Sequence, residues 1–473
     1  MTEDLINSIT MTDKKTFVHP YIPNSDPRIR EEMMKEIGIT DIEELFEDIP
    51  EILRFRGTMN LPDPLLSEME LRNHIERILL KNTTCREFTS FLGAGCYNHH
   101  VPAICDEING RSEFLTAYAG EPYEDHGRFH ALFEYESLMA EMLDFDVVNV
   151  PTYDWTQATS TALRMAGRLT GRSEVLVSET VSADRLAAIK NYLIPVMKIT
   201  IVKHDPVTGL MDLADLQDKM SPRTAAVYFE NPSFLGIIEI QGEQITGTAH
   251  RNGALAVVGT DPLALGLLKP PSQYGADIAC GDIQSLGIHM YFGGATGGFI
   301  SSRDEEKLVM EYPSRLFGIT KTAVEGEWGF DDVAYDRTSF AHREKGKEFV
   351  GTASALWGIT AGVYLALMGP QGMTELDRHI LQKTEYALKK ITSVKGVSAR
   401  FKASHFREFV IDFSLTGKTV VEINRALLTK EIFGGYDLGK DYPGMENCAL
   451  YCVTEMVSQK EIDRLVEVLN EII

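Results

Sequence analysis

Positive charge is scarce in this chain. Lys and Arg number 46 against 69 Asp and Glu, a formal net charge of −23 over 473 residues. That excludes a nucleic-acid backbone as the expected partner, because neutralising phosphates takes clustered Lys and Arg. It also argues against an anionic membrane surface. No apolar run approaches the roughly 18 residues of a membrane helix. Residues 1–20 hold no apolar stretch behind basic residues, so no secretory leader is expected there. Cysteine is sparse and scattered (Cys85, Cys96, Cys105, Cys280, Cys448, Cys452), with no Cys-x-x-Cys pair. A reduced, cytoplasmic protein with buried thiols is the expectation. Internal repeats and low-complexity tracts are lacking as well.

What is present is an ordinary globular composition, 44% apolar and 24% charged. The length allows about two or three domains and a large core without staples. Residues 1–62 are acidic and irregular. His19-Pro-Tyr-Ile-Pro-Asn is extended, since each proline biases its predecessor away from helix, and helical pieces follow at 26–37 and 42–47. This predicts an N-terminal arm that packs on a larger body or on a partner. Residues 63–348 are regular. Helical spacing marks 68–80 and 129–143, the latter with Glu136 interrupting its apolar face. Apolar runs at 147–150, 174–177, 199–203, 225–229 and 254–258 then alternate with helical stretches at 156–166, 183–192 and 213–219. That alternation predicts a mostly parallel α/β sheet with helices on both faces. Residues 349–473 change pattern. Two helical stretches (353–367, 375–394) precede strands at 409–413 and 449–454, a helix at 420–431, and a last helix opened by a Ser458/Glu461 capping box. A large mostly parallel α/β domain with a small C-terminal α+β domain is the fold-type I layout of pyridoxal phosphate (PLP) dependent transferases, an analogy of fold only.

Asp261 follows the run Ala254–Thr260 and is expected at a strand end facing the crevice of the sheet. In that fold such an Asp pairs with the protonated pyridine nitrogen and keeps the ring an electron sink. The Schiff-base lysine expected about two dozen residues on is missing: nothing between Lys269 and Lys307 can form an imine. A turn-capping role for Asp261 stays open. Gly293-Gly-Ala-Thr-Gly-Gly298 offers either a phosphate cradle or a close-packed turn before a strand. Phe91-Leu-Gly-Ala-Gly-Cys-Tyr-Asn-His-His100 reads as a packed loop, with His99 and His100 able to move protons or meet a metal. His126, His130 and Glu134 recur every four residues, a spacing that can chelate zinc or iron, although Gly127 weakens a helix there and a solvated face explains it as well.

These segments resemble one family closely: the glycine cleavage system P-protein, glycine dehydrogenase (decarboxylating), and specifically subunit 1 of its two-chain form. The likeness runs from about Phe17 to Ile473. It rests on His19-Pro-Tyr-Ile-Pro-Asn, Phe91-Leu-Gly-Ala-Gly-Cys-Tyr, Asn231-Pro-Ser-Phe-Leu-Gly, Asp261-Pro-Leu-Ala-Leu-Gly-Leu-Leu-Lys-Pro-Pro, Tyr274-Gly-Ala-Asp-Ile, Gln284-Ser-Leu-Gly-Ile and Gly434-Gly-Tyr-Asp-Leu-Gly. The resemblance implies an enzyme subunit without its own Schiff-base lysine, Ser285 standing near that place, so no catalytic residue is assigned to this chain alone. It implies PLP on a lysine-bearing homologous subunit 2, a heterotetramer, a small amino acid substrate, and aminomethyl transfer from decarboxylated glycine to a lipoyl H-protein. Two polar runs depart from the family pattern: Leu115–Gly127, where Thr116, Tyr118, Glu121 and Gly127 survive, and Glu344–Thr352. They motivate an alternative, a diverged paralogue whose complex acts on another small amine or amino acid. A non-catalytic scaffold is a further alternative. Thr116, Tyr118, Glu121, Asp261, Gln284 and Ser285 are the candidate active-site or interface residues.

Overall fold

The computed structural model describes residues 18–114, 126–294, 296–337, 339–348, 350 and 353–473. The chain divides into two compact units, one ending at Asn82 and one spanning Thr83–Ile473. In the first, Asp26 accepts the Arg28 backbone N–H and caps the helix Pro27–Ile37, which Pro27 opens and a left-handed Gly38 ends. Asp41 and Glu44 form a capping box before the short turn Ile42–Phe46. The helix expected at 68–80 is Glu68–Leu79, capped by Ser67.

The second unit carries a seven-stranded sheet. Its strands are β1 (Val147–Val148), β2 (Glu174–Ser178), β3 (Lys198–Val202), β4 (Thr224–Glu230), β5 (Leu255–Thr260), β6 (Ile278–Asp282) and β7 (Gly298–Ser302). They lie in the order β1-β7-β6-β5-β4-β2-β3. Strands β2 to β6 are parallel to one another, and β7 runs antiparallel to both its neighbours, β6 and β1. The sheet is therefore mostly parallel, as expected.

Two-sided burial explains why these strands read as unbroken apolar runs. Val175, Val177, Ala226, Tyr228 and Val257 enter one core together with Ala162, Leu163 and Ala166 of the helix Trp155–Thr170. Their alternates Leu176, Val227, Phe229, Ala256 and Val258 enter another core, with Tyr135, Met139 and Leu143 of the helix His126–Leu143. Successive side chains point to opposite faces, and both faces are covered by helices. Glu136, on the latter helix, is buried and accepts the Phe317 backbone N–H at 3.2 Å.

The C-terminal strands β8 (Ser398–Ala399), β9 (Glu408–Asp412), β10 (Tyr436–Asp437) and β11 (Cys448–Cys452) form a separate antiparallel sheet in the order β8-β9-β11-β10. The two helical stretches expected before it are one segment, Ala355–Ile391, broken at Gly369, whose φ of 60° and ψ of 176° are not helical, just ahead of Pro370. Ser458 and Glu461 form the expected capping box on the helix Gln459–Ile472.

Two connections steer residues between the sheets. The turn after β4 sends Phe234, Leu235 and Ile237 into a core with Val410 and Leu450. Thr89–Ser90 pairs in parallel with Ile432–Phe433, and Cys452 donates its backbone N–H to Phe91 O at 2.9 Å. Among the described residues no helix is long and apolar enough to cross a membrane.

Candidate functional site

Asp261 leaves the C-terminal end of β5, the edge of a parallel sheet where ligands bind. Its Oδ1 accepts the Leu263 backbone N–H at 3.0 Å and so caps the turn Pro262–Gly266. The same atom accepts from Ser285 Oγ at 2.9 Å. Its Oδ2 pairs with Arg407 Nη2. Asp261 is thus a capping residue and also the hub of a buried polar cluster.

Gln284, beside Ser285, fixes the loop opposite. Its Oε1 accepts the Tyr97 N–H at 3.0 Å, and its Nε2 donates to Tyr97 O at 3.1 Å and Ile288 O at 3.0 Å. The side-chain amide therefore completes the backbone hydrogen bonding of Tyr97. Gly93 lets the loop pack closely on the C-terminal sheet. A Cβ on Gly93 would lie 2.5 Å from Glu408 Oε1 and 2.7 Å from Cys452 Cβ. Of the Gly293–Gly298 run, Gly298 opens β7 and is closely packed, since a Cβ there would lie 2.1 Å from Asp154 O, whereas one on Gly293 would meet nothing within 4 Å.

Arg407 sits where these elements converge. Its guanidinium carbon is 3.3 Å from the centre of the Tyr97 ring, a cation–π contact. Its Nη1 lies 2.8 Å from His99 Nε2. Because Arg can only donate, that nitrogen accepts, and Nδ1 carries the proton donated to Glu455 Oε2 at 2.8 Å. Burial lowers the His99 pKa, consistent with this neutral tautomer, and Arg407 pushes the same way. Burial alone would raise Glu455, but the hydrogen bonds from His99 and the His100 backbone hold it at about 2. Glu408 accepts from Tyr97 Oη at 2.8 Å and from the Ala94 N–H at 2.7 Å. Burial pushes its carboxyl up, while Arg407 opposes the rise.

A second wing faces this cluster. Arg185 pairs with Glu230 and stacks over Trp155 at 4.1 Å. Tyr228 Oη donates to Glu230 Oε1 at 2.9 Å. Between the wings remains a cavity of ≈ 20 Å³, bounded by Tyr97, Trp155, Arg185, Glu230, Asp261 and Arg407. That is about the space one water needs.

Of the residues singled out in the sequence, the fold brings Asp261, Gln284 and Ser285 together. Thr116, Tyr118 and Glu121 lie outside the described residues. His126 opens its helix; His130 lays its ring 4.1 Å from that of Phe330, and Glu134 lines an apolar groove with Ile104 and Ile108. Among the described residues no group of three His, Cys, Asp or Glu is placed to hold a metal. In the second divergent run, Glu348 pairs with Arg168 at 2.7 Å and with Arg164, and so ties that run to the helix Trp155–Thr170. Sequence reasoning missed Arg407, Glu408, Arg185 and Glu230. The one signal for the first two was an Arg-Glu pair set against the apolar run Phe409–Phe413.

Comparison with known proteins agrees with this architecture. The family model described as glycine cleavage system P-protein matches residues 19–469. The chain is 39% identical over 461 residues to a probable glycine dehydrogenase (decarboxylating) subunit 1 of Saccharolobus islandicus, covering 97% of this chain and 98% of that one. It is 37% identical over 464 residues to the protein of the same name in Staphylothermus marinus, with 96% and 98% covered. A crystal structure of glycine decarboxylase (P-protein) of the glycine cleavage system, in inhibitor-bound form, superposes with a TM-score of 0.80 at 32% identity over 96% of this chain and 100% of that one. A sphingosine-1-phosphate lyase of Burkholderia pseudomallei shares the fold alone, at 13% identity and a TM-score of 0.63 over 89% of this chain and 94% of that one. With matches of this extent along nearly its whole length, the chain belongs to the glycine cleavage system P-protein family.

Proposed function

We propose that this chain is the non-lysine subunit of a P-protein-type glycine decarboxylase. It works as a heterotetramer with a homologous, lysine-bearing subunit 2, whose PLP it does not itself bind covalently. The bound cofactor's ring absorbs the electrons left when CO2 departs. The aminomethyl group then passes to the lipoyl arm of an H-protein. The observation carrying the reading is the near end-to-end likeness to relatives named subunit 1, together with a hydroxyl, Ser285, standing where it faces Asp261. This chain's own contribution is to fold around its own buried cluster and present a face to the partner. We place it in the cytoplasm, as an arm (1–62), a large domain (63–348) and a small domain (349–473).

The alternative substrate rests on the two divergent runs. The Glu348 pairs give the second run a structural task within this chain, which favours glycine. Co-expression with a lysine-bearing homologue tests the reading. The two chains are expected to copurify and, with H-protein, to exchange labelled bicarbonate into the glycine carboxyl. Copurification without exchange would sink glycine and leave another small amine; no copurification would sink the subunit reading.

A further inference from the structure

We propose that Arg407 is a built-in occupant of the cofactor pocket, its guanidinium replacing the pyridinium on Asp261, so that the missing lysine is not what keeps PLP out. The residues present do not fit the cofactor. The carboxylate that would meet the ring nitrogen is already engaged at both oxygens, by Arg407 on one side and by Ser285 and the Leu263 N–H on the other. The face on which a planar ring would lie is taken by a planar cation stacked on Tyr97. The remaining ≈ 20 Å³ admits a water and no aromatic ring. Arg185 and Arg407, the cations that also line the cavity, are already paired with Glu230 and Asp261.

The backbone is arranged to deliver this side chain. Glu408 N–H donates to Phe406 O at 2.6 Å around Arg407, whose φ is 47°. A residue-to-residue-plus-two bond about a left-handed residue is a γ-turn of the rarer, strained hand. A non-glycine residue keeps such a conformation when its surroundings over-determine it, and here three groups hold one guanidinium: Asp261, His99 and the Tyr97 ring, itself anchored by Glu408. Emptied of Arg407, the pocket is a site for a small planar cation of the guanidinium class.

The proposal rests on the fold-type I likeness and not on glycine. Its test uses the full chain without partner or glycine, so its failure would leave the functional reading standing. Arg407→Ala is expected to lower Tm by about 5 °C. Millimolar methylguanidinium should restore Tm along a saturable curve, at concentrations where ammonium at equal ionic strength does nothing and the parent chain does not respond. A linear or absent response would overturn the proposal. A second arm does not need that variant to fold. Ser285→Lys with Arg407 in place, incubated with PLP and reduced with borohydride, should carry no pyridoxyl mass at residue 285. Stable labelling there would show that the lysine alone was lacking, and the plug would be rejected.

Discussion

Asp377 lies fully buried within the segment Ala355–Ile391, neither carboxylate oxygen has a hydrogen-bond partner among the described residues, and burial lifts its carboxyl to about 8 from 3.8. The folded chain therefore holds a proton that the unfolded chain has released. With the folded value above the unfolded one, this group's contribution to stability falls as pH rises from about 4 to about 8, and is constant beyond. Asp377→Asn fixes the uncharged state. Its Tm relative to the parent is expected to be several degrees higher at pH 8 than at pH 5, the difference amounting to a few kcal/mol at most. Melts across that range check it, and a pH-independent difference would refute the assignment. Glu455 behaves in the opposite sense. Its value is about 2 rather than 4.5, so its contribution is present above pH 4.5 and is lost as pH falls through 2. Glu455→Ala is expected to cost about 2 kcal/mol at pH 7 and much less near pH 2, as read from denaturant midpoints.

Gly236 and Gly171 separate two reasons for glycine at the level of elements. Both are left-handed, at φ 78° and 64°. A Cβ on Gly236 would lie 1.9 Å from Glu408 O of β9, whereas one on Gly171 would meet nothing within 4 Å. Gly171→Ala is expected to cost about 1 kcal/mol, the backbone penalty alone. Gly236→Ala adds a steric conflict between the turn after β4 and the C-terminal sheet, for a total of about 2–4 kcal/mol. Urea denaturation of both variants gives the contrast. The strands themselves were legible because two-sided burial makes them continuous apolar runs. Strand β6 was not, since Ile278-Ala-Cys-Gly-Asp282 offers one large apolar side chain. The antiparallel direction of β7 leaves no trace in composition. Asp261 could be found because a strand run ends beside it. Arg407 could not, because its meaning depends on Asp261, 146 residues away.

For the molecule as a whole, the shut pocket and the formal charge of −23 make it a poor receptor for a phosphorylated anion. Adding PLP to the isolated chain should leave Tm unchanged within about 1 °C. The copurified complex should gain stability by mass action, about 2.7 kcal/mol at a hundredfold excess over Kd. A saturable shift in the isolated chain would contradict the Arg407 plug. The cluster also links distant stretches of chain. Tyr97 donates to Glu408 across 311 residues, His99 meets Glu455 across 356, and Phe91 is hydrogen-bonded by Cys452. On a ribosome, then, Phe91, Tyr97 and His99 emerge long before the groups that receive them. Pairing that spans most of the chain forms slowly, and an early segment left waiting exposes apolar surface. Synthesis that stops short of Arg407 would release a chain whose large sheet is complete and whose central cluster cannot close.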